Sequence, residues 1–129
     1  MFLRVRRVFT VCVCLGLTCL FTLPGLFLYT KGETLFALSE ELDQALLAGE
    51  SAKAMEKLRQ VEGVFYPMET RAEAFLHHEA VDECTLSLAT LRVRVENGEL
   101  PLAREALQEF TLSLRHIISI EVFDWRMFL

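Results

Sequence analysis

Four residues have the types and spacing for shared chemistry: His77, His78, Asp82 and Glu121. His78 and Asp82 are four apart, which makes them neighbours on one face of a helix. An imidazole that meets a carboxylate in a core must hydrogen-bond to it, because an unpaired buried charge is costly. The same donors suit a pH-responsive group or a divalent metal. Metal-binding helical bundles often use Glu-x-x-His. Here the order is His77-His78-Glu79, with one further carboxylate four residues on and no second copy of the pattern. A structural polar pair is therefore the favoured reading, and metal- or pH-responsive binding is the alternative. Arg71 or Arg126 could join the group. No glycine-rich phosphate loop, HExxH or CxxC pattern and no nucleophile with its base is present. The expectation is that there are no catalytic residues, no cofactor and no committed metal ligands.

The elements that must position these residues are helices. No stretch alternates with period two, and apolar residues recur at spacings of three and four. Glycine and proline divide the polar region into four pieces. The first spans about Thr34 to Ala48 and stops at Gly49, and the second starts after Ser51 and runs to about Tyr66. Pro67 opens a third helix that ends at Asn97-Gly98, and Pro101 opens a fourth that runs nearly to the end. A turn at Pro67 is favoured over a kinked continuous helix from Ser51 to Glu96.

The apolar stripes of the third and fourth helices match in antiparallel register around Asn97-Gly98. Val95 meets Ala103, Leu91 meets Leu107, Leu88 meets Phe110, Cys84 meets Leu114 and Val81 meets Ile117. One layer further, His77 meets Glu121, which is why this pair heads the candidate cluster. Around Gly49, Ala45 faces Ala54, Leu42 faces Leu58, Leu38 faces Val61 and Leu35 faces Phe65. Two helical hairpins give a small antiparallel bundle of three to four helices. The expected fold is all-α, an N-terminal transmembrane helix followed by this bundle.

Length and charge restrict the rest. The 129 residues carry a formal net charge of −5, yet 53% are hydrophobic and mean hydropathy is +0.34. The average conceals a split, because no charge lies between Val8 and Thr30 and no acidic residue precedes Glu33. From Gly32 onward, 9 basic residues stand against 18 acidic ones, a balance of −9. Such a domain repels phosphates, which argues against nucleic acid and anionic membrane surfaces as ligands. A run of 23 uncharged residues at about 1.5 Å each spans a bilayer core. Arg4, Arg6 and Arg7 before the run place the N-terminus in the cytoplasm and the rest outside. The expected division is a basic segment over 1–7, a membrane helix over 8–30 and an extracytoplasmic bundle over 33–129. A cleaved signal sequence is the competing reading, although the run is long and its exit lacks small residues at a cleavage point.

Cys12, Cys14 and Cys19 lie inside the apolar run and act there as small hydrophobes. Cys84 alone lies in the polar region, where a buried free thiol is favoured over a cross-link between chains. Trp125 and the apolar residues around it either reach headgroup level or close the base of the bundle. Glu40, Glu41, Asp43, Glu69, Glu73, Glu105 and Glu109 read as solvated surface.

Three features together resemble a bacterial family of short membrane-anchored helical proteins, domain of unknown function family 4363. They are His78-x-x-Val81-Asp82, the Asn97-Gly98 break, and Arg115-His116-Ile117-Ile118 followed by Glu121. The likeness covers the anchor loosely and about Ser51 to Leu129 more closely, and Met127 stands where members tend to carry asparagine. It implies the topology and no particular activity. The expected role is a non-enzymatic, single-pass cell-membrane protein whose outer domain binds another protein, which could be a neighbouring integral membrane protein. Homo-oligomerisation stays open. The alternative, from a different class, is an extracytoplasmic sensor or binder using the His/Asp/Glu cluster.

Overall fold

The computed structural model describes the backbone of residues 1–72 and 78–128; side chains at 24, 25, 28, 72, 78 and 121–128 lie outside the described set. Within it the chain is all-helical: α1 (Phe2–Leu47), α2 (Ser51–Ala72), α3 (His78–Glu96) and α4 (Leu100–Phe128). An apolar N-terminal helical stretch leads into an antiparallel bundle in which α1 packs on α2 and α4, and α3 packs on α4. The α2–α3 contact is the slightest of the four. Neighbouring helices run in opposite directions.

Both hairpins turn by the same device. At the end of α1, the Glu50 N–H donates to the Ala45 carbonyl at 3.0 Å and the Gly49 N–H donates to Leu46 at 3.2 Å. At the end of α3, the Glu99 N–H donates to Arg94 at 2.9 Å and the Gly98 N–H donates to Val95 at 3.1 Å. Each turn satisfies two terminal carbonyls and needs a left-handed residue. Glycine supplies it with φ of +73° at Gly49 and +72° at Gly98.

The residues of the predicted stripes are the residues of the core. Leu35, Leu42, Ala45, Ala54, Leu58, Val61 and Phe65 are buried in the first hairpin, with Leu38 packed at the edge. Val81, Cys84, Leu88, Leu91 and Val95 are buried against Ala103, Leu107, Phe110, Leu114 and Ile117 in the second. Phe65 and Phe110 join the hairpins edge to face, with centroids 5.4 Å apart and planes at 80°.

Two boundaries differ from expectation. The apolar N-terminal stretch and the first bundle helix are one element, because α1 passes through Lys31-Gly32-Glu33 without a break. A single interior glycine costs only about 1 kcal/mol of helix propensity. Here Gly32 is buried, and a Cβ at that point would collide with the Ile118 side chain, so its smallness lets α4 approach α1. The second correction concerns Pro67, which starts no new helix and lies inside α2, which continues to Ala72. Proline normally clashes with the carbonyl four residues earlier. That residue is Gly63, exposed and with open space around it, while buried Phe65 and Met68 on either side of Pro67 hold the helix to the core. The link from α2 to α3 lies outside the described residues.

Candidate functional site

The predicted cluster is placed only in part. Asp82 is exposed on α3. His78 is the first residue of α3 and Glu121 belongs to α4, but their side chains, and His77 as a whole, lie outside the described residues. Arg126 and Trp125 share that position, whereas Arg71 is described elsewhere, at the end of α2. Among the described residues no group of three or more His, Cys, Asp or Glu is arranged to hold a metal ion.

What the described residues show is a set of ion pairs across helix interfaces. Lys57 Nζ lies 2.7 Å from Glu41 Oε2 between α2 and α1. Arg104 Nε donates to Asp43 Oδ1 at 2.9 Å between α4 and α1. Arg92 Nε lies 3.5 Å from Glu62 Oε2 between α3 and α2, and its Nη1 lies 3.3 Å from Glu96. Thr85 donates to Glu69 Oε1 at 3.0 Å across the same α2–α3 seam. Glu41, Asp43 and Glu69 are thus interface residues and not merely solvated surface, as the charge pattern suggested. Half-exposed pairs of this kind add little stability each and chiefly favour one register of the helices.

Two polar atoms are buried without a hydrogen-bond partner among the described residues, Ser39 Oγ on α1 and Glu62 Oε1 on α2. Cys84 is wholly buried, and burial first, then Glu83 and Glu69, pushes its thiol up to about 12. A thiol so far above neutrality is a packing group and not a nucleophile. Cys12, Cys14 and Cys19 are exposed along the apolar stretch.

The apolar stretch is the other distinctive surface. Phe2–Leu23 is long and apolar enough to cross a membrane, and none of it is buried. Packing begins at Phe27, which lies against the core and carries two cations over its ring, Lys31 Nζ and the Arg71 guanidinium, each 5.8 Å from the centroid. One turn or more above, Arg115 of α4 sits 5.6 Å from the Phe36 ring. The exposed apolar helix thus lies on one side of Phe27 and the packed bundle on the other.

These features define a class: an all-helical bundle raised on a bare apolar helix, without a recognisable catalytic centre among its described residues. The chain belongs to the family described as Domain of unknown function (DUF4363), whose model matches residues 27–127. The match begins at Phe27, where α1 joins the core. No curated protein and no solved structure matches the chain.

Proposed function

We propose that the chain is a non-enzymatic, single-pass bacterial membrane protein whose acidic bundle stands outside the cytoplasm and binds another protein, for which a neighbouring integral membrane protein is the leading candidate. One observation carries this reading. In α1 the first half is apolar and bare while the second half packs into the core, so one continuous helix belongs to two solvents. Water would penalise the bare half, and a bilayer would not. Arg4, Arg6 and Arg7 at the start of that half and Glu33, Glu40 and Glu41 after it support an outward-facing bundle. A bundle of this size has a filled core and little room for a substrate cavity, which supports binding over catalysis.

Labelling of Glu105→Cys in intact cells tests the orientation. The expected result is reaction with a membrane-impermeant reagent added from outside; reaction only after lysis would overturn it. Crosslinking the full-length protein in its membrane, followed by pull-down, is expected to capture an integral membrane partner. Zinc or manganese added to the purified protein is expected to leave the melting temperature unchanged, since a ligand that binds the native state raises it by mass action.

A further inference from the structure

The end of the bundle next to the bare stretch of α1 gathers two cations on one aromatic ring. Packing on the core begins at Phe27, and Lys31, one turn on, reaches back over its ring. The Arg71 guanidinium comes to the same ring from the last turn of α2, and each cation lies 5.8 Å from the centroid. The carbonyl end of α2 favours one cation there. It does not account for a second, drawn in from α1 against the repulsion of like charges. Among the described residues neither cation forms an ion pair, whereas Lys53, Lys57, Arg92, Arg94 and Arg104 all do. Arg71 is exposed and Lys31 half-buried, and their long stems let both heads shift without moving the backbone.

The depth of this pair follows from the helix that carries it. Phe2–Leu23 has 22 residues and is about 33 Å long, against about 30 Å for a hydrocarbon core. Headgroups extend a bilayer by roughly 5–7 Å on each side, and Phe27 lies about 6 Å beyond Leu23 along α1. Leu23, Leu26 and Tyr29 are exposed around that point. A free anion gains nothing from such apolar neighbours. A lipid phosphate arrives with its acyl chains against them. The acidic excess from Gly32 onward bars phosphate from the flanks of the bundle, but screening confines that field to about 8–10 Å.

We propose that Lys31 and Arg71, gathered on Phe27, bind the phosphate of an anionic phospholipid in the leaflet next to the bundle. This rests on the membrane reading above and gives it a specific lipid contact. Arg71 offers a planar fork of N–H donors to two phosphate oxygens, and Lys31 adds a compact charge. A zwitterionic headgroup brings its own cation to the same place, so it gains less. Because one cation belongs to α1 and the other to α2, a bound phosphate ties the first hairpin to the bilayer surface.

The test places the full chain in nanodiscs of phosphatidylcholine and phosphatidylglycerol in equal parts. Native mass spectrometry then identifies the lipid that stays bound. Phosphatidylglycerol is expected to be retained at least about tenfold over phosphatidylcholine, and less so at high salt. Lys31→Gln with Arg71→Gln is expected to erase this preference. Lys53→Gln with Arg59→Gln removes the same charge toward the other end of α2 and is expected to leave it intact. Lys31→Arg keeps the charge and is expected to keep the preference, so its loss there would count against the inference even if the glutamine pair failed to fold. Equal retention of the two lipids, or equal losses in the two glutamine pairs, would overturn the inference. Inorganic phosphate at the lipid's concentration is expected not to displace it; displacement would make a free anion the ligand and overturn the lipid assignment. A chain that does not co-purify with the discs would refute the membrane reading together with this inference. One that co-purifies without a lipid preference would refute this inference alone.

Discussion

Cys84 illustrates how a single side chain can report on the core. Burial first, then the Glu83 and Glu69 carboxylates, pushes its thiol up from the ordinary 9.0 to about 12. The folded value is raised, so this group's contribution to stability is complete below pH 9 and is lost as pH climbs toward the folded value. Each pH unit in that window costs at most about 1.4 kcal/mol. Urea melts at pH 8 and pH 10.5 should therefore show a steeper alkaline loss in the wild type than in Cys84→Val, and parallel losses would refute the assignment. Gly32 makes a second residue-scale case. A branched or long side chain there must displace Ile118, so Gly32→Leu is expected to cost about 1–3 kcal/mol, as overpacking of filled cores does. Adding Ile118→Ala should recover a large part of that loss; additive effects in a double-mutant cycle would show that the two do not meet.

At the scale of elements, the glycines sort by backbone conformation. Gly49 and Gly98 hold left-handed turns, so alanine at either is expected to lower stability by about 1 kcal/mol. Gly63 sits in an ordinary exposed helical position with open space about it, so Gly63→Ala is expected to raise stability by about 0.5–1 kcal/mol. Thermal melts of the three variants check the opposite signs. The pairing of Val95 with Ala103 through Val81 with Ile117 was legible in the sequence because a hairpin with a short turn brings two stripes into one register. The limits of α1 and α2 were not. Glycine and proline look like punctuation in isolation, but Gly32 lies inside a continuous helix where Ile118 of a distant element packs close, and Pro67 lies between the buried Phe65 and Met68. For the same reason Arg104–Asp43 could not be read, since α1 and α4 are not consecutive, and Arg92–Glu62 depends on an α2–α3 register that no pair of stripes gave. Of the candidate cluster, Asp82 alone has a described side chain, and it is exposed.

At the scale of the whole molecule, α1 is 46 residues long, about 69 Å from end to end, and no loop separates its bare half from its buried half. A helix of this kind transmits angle as well as height. If that bare half spans a membrane as proposed, each residue added between Leu23 and Leu26, ahead of the first core contact at Phe27, would turn the bundle about 100° around the membrane normal and lift it about 1.5 Å. On that reading, the direction in which any one side of the bundle looks is encoded by a residue count. One inserted alanine should swing the bundle's partner-facing side away from the proposed membrane partner and abolish crosslinking to it. Seven should restore the bearing to within about 20° and leave the bundle about 10 Å higher. A periodic return of crosslinking with insert length would identify α1 as a fixed compass bearing, whereas indifference to insert length would mean that the partner approaches from any side.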